Sequence, residues 1–252
     1  MKLLRPYFQK LLPKISASEM IALKSGTVSI DRDLISGHLM KKKVPRSELN
    51  DDEYNYINDN VIQMVRDLKD QEIVNNCGTK LNPCVENVIK ENRAFSYIIP
   101  QDYGGHGFSV EAQSRILSKI SSSNPSLGVT IMVPNSLSIA EILLKDFGTS
   151  AQKDYYLPRL ASTELIPCFG LTGIHNGSDA LGNLDKGYFD GEYISANISK
   201  RYITLSPIAN LFGIAINVEG YGPTLLICTR DQIPIIKKHN PLNNSFPNGA
   251  LQ

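Results

Sequence analysis

The chain has 252 residues, with 26 Lys+Arg against 25 Asp+Glu, a formal net charge of +1 and 42% apolar residues. That balance excludes a disordered chain, which would be poorer in aliphatics and more strongly charged, and a nucleic-acid module, which would be far more basic. Roughly 150 residues per domain gives one and a half to two domains, and no apolar run approaches the roughly 18 residues that cross a bilayer.

Residues 1–46 read as an N-terminal leader. Leu3, Leu4, Phe8, Leu11, Leu12 and Ile15 share a face, but Pro6 and Pro13 interrupt it and Lys2, Arg5 and Lys10 break any secretory core. An irregular leader lying on the protein is expected, with a membrane-surface helix as the alternative. Lys41-Lys42-Lys43 reads as a solvated cluster. Cys77, Cys84, Cys168 and Cys228 form no CxxC pair and the four histidines are scattered. Reduced thiols, no metal site and a cytoplasmic location are therefore expected, with membrane association through the leader as the alternative.

From Ser47 the pattern is helical. Tyr54, Ile57, Val61, Met64, Val65 and Leu68 step by three and four, which predicts one amphipathic helix. Asp51-Asp52-Glu53 sit at its start, where anions are favoured. Pro83 opens a second helix. Phe95 to Pro100 is predicted as a short extended run, and Gly104-Gly105-His106-Gly107 as a tight turn rather than a phosphate loop. Ser109 caps a helix from Val110 to Ser121. A further helix is predicted to start at Pro134 and stop near Gly148, and Thr149 to cap the next one.

After Leu165 short β-rich runs follow: Ile166–Thr172, Tyr193–Ile198, Tyr202–Leu205, Leu211–Val218 and Thr224–Thr229. Helices followed by strands, without alternation, predict an α+β fold. An all-α domain over 47–164 precedes a β-barrel-like middle domain over 165–252. The Gly/Asn-rich turn after Thr172 can present N–H groups and hydroxyls to an anion or a polar ring edge. By pattern alone Lys200-Arg201-Tyr202-Ile203-Thr204 is a strand with a basic start.

Taken in order, these segments resemble the acyl-CoA dehydrogenase flavoproteins, in their bacterial long-chain fatty-acid-degradation branch. The resemblance is carried by Ile98-Ile99-Pro100-Gln101-Asp102-Tyr103-Gly104-Gly105, Ala112–Leu117, Val133–Leu137, Phe147-Gly148-Thr149, Tyr156–Ala161, Ile166–Asp179 and Lys200–Pro207. Gly26-Thr27-Val28 and Pro241-Leu242-Asn243 agree more weakly. The resemblance implies FAD as cofactor. Phe169, Leu171 and Thr172 match the strand that meets the flavin's pyrimidine edge. Gly177 and Ser178 match the turn that contacts FAD, with Ser178 also toward the acyl-CoA. Tyr202, Ile203 and Thr204 match a triplet whose aromatic packs on the flavin and whose Thr hydroxyl bonds its N5 side. The implied reaction is α,β-dehydrogenation of a fatty acyl-CoA in β-oxidation, with a Glu base on a C-terminal helical domain.

Two departures shape the expectation. No acid here matches that Glu, so no catalytic residue is assigned. The chain reads as truncated, without the C-terminal helical domain and inactive alone. It would need a complementing C-terminal chain or a homo-oligomer, and the alternative is a non-catalytic remnant or scaffold that binds FAD weakly or a helical partner. Within the flavin turn, Gly173-Ile174-His175-Asn176 stands where the family carries a proline, which predicts a looser turn.

Overall fold

The computed structural model describes residues 17–24, 35–37, 48–75, 78–136, 139–239 and 246–252. The leader over 1–16, Gly26–Val28, Lys41–Lys43, Leu137 and Pro241–Asn243 lie outside the described residues. Helices come first: α1 (Ala17–Lys24), α2 (Asp51–Asn58), α3 (Asn60–Leu68), α4 (Pro83–Glu91), α5 (Val110–Ser123), α6 (Pro125–Ser136), the short α7 (Ile139–Ile142) running into a π-type turn, and α8 (Ser150–Ala161). Strands follow: β1 (Pro167–Gly170), β2 (Lys186–Phe189), β3 (Ile194–Ala196), β4 (Lys200–Thr204), β5 (Leu211–Val218), β6 (Gly222–Thr229), β7 (Ile235–His239) and β8 (Asn248–Leu251). This is the α+β order expected. Among the described residues the strands form no closed barrel. They make one five-stranded and one three-stranded sheet.

The helix starts follow their caps. Asn50 Oδ1 accepts the Glu53 N–H at 2.9 Å while the Glu53 carboxylate accepts the Asn50 N–H at 3.1 Å, a reciprocal capping box. Glu53 also accepts the Ser109 N–H at 2.6 Å, tying the start of α2 to the start of α5. Ser109 and Thr149 cap α5 and α8, and Pro83 opens α4 behind Asn82, as the sequence predicts.

Three expectations change. The predicted helix over 54–68 breaks at Asp59, whose φ of −106° and ψ of −70° turn the chain between α2 and α3. Within α2, Tyr54 faces outward and Tyr56 packs inward, where its hydroxyl donates to Asn92 O at 2.9 Å. Phe95–Pro100 is not a strand, because its backbone bonds go elsewhere. Tyr97 N–H donates to the Asn135 side chain at 2.7 Å, and Tyr97 O accepts from Phe108 N–H at 2.7 Å. Pro134 lies inside α6 rather than opening a helix. Asn135, buried beside it, donates to Ala94 O at 2.7 Å and Ile131 O at 2.9 Å, so side-chain bonds hold the last turn in place. The stretch Pro125–Lys145, of mean hydropathy 1.6, does pass for a membrane span by length and composition. Counting uninterrupted apolar residues missed it. Yet 62% of its window is buried within the fold, as in the core helix of a globular domain.

The tight turn at 104–107 is present. Gly104 and Gly107 have φ of +83° and +64°. Gly105 is required by contact instead: a Cβ there would lie 2.1 Å from Ile99 O. His106 stacks on Phe108 with ring centroids 4.6 Å apart, and its Nε2 lies 3.0 Å from Asn92 O.

In the β region, β5 is the central strand. β6 covers one edge of it over Leu211–Val218 in antiparallel register. The opposite edge is shared by two parallel strands, with β1 against Leu211–Ile214 and β2 against Asn217–Val218. In the smaller sheet β8 lies between β4 and β7. Ile203, Phe212, Ile214 and Leu251 form the core between the sheets, and Leu211 packs with Ile139, Leu157 and Ile99 to join helices to strands.

Candidate functional site

Segments 30 residues apart in the chain become neighbours here. Just past β1, Thr172 O accepts the Arg201 N–H at 3.0 Å, and Gly173 pairs across with Lys200. Arg201 Nε then donates to Gly173 O at 3.1 Å. The end of β1 and the start of β4 are thus stitched side by side, which brings Phe169, Leu171 and Thr172 beside Tyr202, Ile203 and Thr204.

Lys200 is the anchor of this junction, not a solvated strand start. Its side chain is fully buried, and Nζ pairs with Asp185 Oδ2 at 2.9 Å. Nζ also donates to Ala215 O at 2.7 Å and Leu171 O at 3.2 Å. A buried ammonium survives only when its protons are all placed, and these three partners use all of them.

The turn after Thr172 is pinned rather than loose. Asn176 is buried; its Oδ1 accepts the Gly173 N–H at 2.7 Å and its Nδ2 donates to Leu171 O and Ala180 O at 3.0 Å. One amide spans the turn and replaces the rigidity a proline would give. It also explains Gly173, where a Cβ would come 2.8 Å from Asn176 Oδ1. Gly177 and Ser178 sit beyond it, exposed.

Phe169 and Leu171 point to one side of β1, into a cleft of about 800 Å³. Its far walls are Leu143 and Tyr156 from the helical side and Leu225 and Ile227 from β6. Among the described residues lining it none carries a carboxylate or an imidazole. The cleft can hold an apolar chain but has no proton acceptor of its own.

Around β4 the chemistry is polar. Tyr202 is 57% exposed and has a φ of +60°, a left-handed conformation rare for an aromatic residue. It sits at the irregularity where the β4–β8 register shifts. The Arg201 guanidinium lies 5.3 Å from its ring centroid, and the His239 ring 5.2 Å away. Ile203 turns its side chain into the core, so only its backbone can face a ligand. Thr204 Oγ1 accepts from Asn248 Nδ2 at 3.3 Å. Sequence reasoning missed Asp185, Asn248 and His239, because none stands in a motif and each reaches the site through pairing of distant strands.

These residues fit a flavin. An exposed aromatic, a Thr hydroxyl and a pinned backbone turn lie together, and two buried polar atoms in the same row, Asn248 Oδ1 and His239 Nε2, have no partner among the described residues. A ring with a polar edge matches that set better than an apolar ligand does.

Known proteins share part of this sequence and its fold. Residues 56–164 match the family model described as the acyl-CoA dehydrogenase N-terminal domain. The human mitochondrial very long-chain specific acyl-CoA dehydrogenase is 34% identical over 128 residues, 50% of this chain and 19% of that protein. The butyryl-CoA dehydrogenase from Megasphaera elsdenii superposes with a TM-score of 0.68 at 18% identity, covering 82% of this chain and 56% of that one. A glutaryl-CoA dehydrogenase from Mycobacterium smegmatis, solved in complex with FADH2, gives 0.67 at 22% identity, covering 81% and 52%. The matched segment thus spans about a fifth of the length of the curated human relative. Residues 56–164 thus carry the acyl-CoA dehydrogenase N-terminal domain, and the fold of helices followed by mixed sheets is the one found in solved acyl-CoA dehydrogenases.

Proposed function

We propose that this chain binds FAD and a fatty acyl-CoA and serves the α,β-dehydrogenation of the thioester. The observation that supports this best is the stitching of the 169–172 strand to the 202–204 triplet, beside an apolar cleft of about 800 Å³. When bound, FAD supplies the hydride-accepting chemistry. The chain's own residues do the rest. The backbone at Leu171 and Thr172 and the turn at Gly177 and Ser178 hold and orient the ring edge, with Ser178 also toward the acyl-CoA. The Ile203 backbone keeps the triplet in register with β8. Tyr202 offers an aromatic face, and Thr204 a hydroxyl donor. Leu143, Tyr156, Leu225 and Ile227 exclude water from the acyl chain.

The α-proton must leave to a positioned base. Since the described cleft lining has none, the base comes from outside that lining. The test is an FAD titration of the purified chain followed by anaerobic addition of a long-chain acyl-CoA. Saturable FAD binding with quenched flavin fluorescence, and no bleaching on adding acyl-CoA, is the expected result. A folded, soluble chain that binds no FAD would overturn the reading. Bleaching by the chain alone would overturn the placement of the base and leave the flavin site standing.

A further inference from the structure

Thr204, Asn248 and His239 stand in one row across the three-stranded sheet. Thr204 is registered against Asn248, and Asn248 against His239. Residues directly opposite in antiparallel strands share a face, so the three side chains project to the same side. The core takes the other side, through Ile203, Leu251 and Ile235. Tyr202 belongs to the row's face as well. Its ring reaches the His239 ring although β8 separates their strands, so the two rings meet across the middle strand. Beneath that meeting point Asn248 is only 4% exposed.

The row is unusual in its hydrogen bonding. Asn248 Oδ1 and His239 Nε2 are both buried and both without a partner among the described residues. A buried polar atom left unsatisfied forfeits its hydration without return, and folded proteins keep few of them. Two in adjacent positions of one row point to an outside group that completes them. The third member is directional. Thr204 Oγ1 accepts from Asn248 Nδ2 at 3.3 Å, which occupies one of its lone pairs and leaves its single proton to be donated elsewhere.

We propose that Asn248 and His239 are flavin-site residues. Asn248 is a positioning residue that turns the Thr204 hydroxyl outward as a donor. Asn248 Oδ1 and His239 Nε2 take polar atoms at the edge of the same ring. The inference rests on the FAD reading above and names the residues of β7 and β8 that extend it.

The test uses FAD itself on the full chain, reading the dissociation constant by flavin fluorescence and the visible absorption band of the bound flavin. Asn248→Leu should weaken FAD roughly fivefold or more, about the worth of one lost hydrogen bond, and shift the band. His239→Leu should weaken FAD likewise. Asn248→Leu and Thr204→Val should combine non-additively, since one acts through the other. Ile235→Val, on the opposite face of the same sheet, should leave affinity and band unchanged. If Asn248→Leu fails to fold, Asn248→Ser takes its place with the same expectation. Wild-type binding with unchanged affinity and band in the Asn248 and His239 variants would overturn this inference alone, and would mean that water completes the row. A wild-type chain that binds no FAD would overturn both this inference and the reading beneath it.

Discussion

Replacing Lys200 by methionine isolates the buried charge at the junction of the two sheets. Methionine has similar length and no charge, so packing changes little. What is lost is the 2.9 Å pair with Asp185 and the donors to Ala215 O and Leu171 O. Asp185 is left with a side chain 13% exposed and one remaining donor, the Ser199 N–H at 3.2 Å. Stranding one partner of a buried pair costs about 3–5 kcal/mol. For a chain of this size each kcal/mol lowers Tm by roughly 2–4 °C, so Lys200→Met should melt roughly 6–20 °C below wild type by circular dichroism. Adding Asp185→Leu removes the stranded carboxylate and should recover at least about 1 kcal/mol, because uncharged pairs at such sites are often tolerated. A Lys200→Met variant that loses less than about 1 kcal/mol, or a double variant no more stable than the single, would refute the argument. Either result would show that water reaches the pair.

Asn176→Ala removes three hydrogen bonds from the 173–180 turn, and limited proteolysis should then cut between Gly173 and Gly182 faster than in wild type, with a stability loss of about 1–3 kcal/mol. Gly105→Ala places a methyl group against Ile99 O, which cannot yield as a side-chain tip would; urea unfolding should show a loss of about 1–3 kcal/mol or more. Stability should fall as the solution is acidified, in two stages. Burial, helped by the charge of Arg93, holds His106 below its ordinary 6.5 against the opposing bond to Asn92 O. The unfolded chain therefore binds the proton more readily, and this contribution is intact above about 6.5 and lost below it. At Glu53 burial works to raise the carboxyl, but the bonds from Ser109 and Asn50 outweigh it and hold it below its ordinary 4.5. Its contribution is intact above about 4.5 and is lost as pH falls through the folded value. In a pH series of urea midpoints, His106→Phe should flatten the first stage and leave the second.

What the sequence made legible was local. Ser109, Thr149 and Pro83 carry their instruction within one turn of the helix they start, so those starts were readable. Leu211–Val218 was readable because a strand buried on both faces is apolar along its length, here unbroken through Ile216. The break at Asp59 was not, since the apolar period runs through it and only packing turns Tyr56 inward. Asn248–Leu251 reads NGAL, which has no strand signature; it is a strand because β4 and β7 bond it from both sides. Lys200 and Asp185 illustrate the same limit at the site. A lysine opening a strand looks solvated until the fold supplies a carboxylate and two carbonyls from 15 and 29 residues away. The firmness of the 173–180 turn was not legible either, because Asn176 pins it with side-chain bonds that no residue-by-residue comparison weighs.

Strands β1 and β2 hang on the same edge of β5, one at each end, so the excursion from Leu171 to Asp185 departs from and returns to a single strand. Its two feet are therefore fixed independently of its contents. Changes in its exposed middle, at Ile174, His175, Gly177 and Ser178, alter the outline of the turn without sliding the register of any strand. The exposed middle of the excursion is mounted like an exchangeable tool head on a fixed shaft. That mounting lets the 173–180 turn carry a sequence of its own while β5, and the core behind it, keep their places.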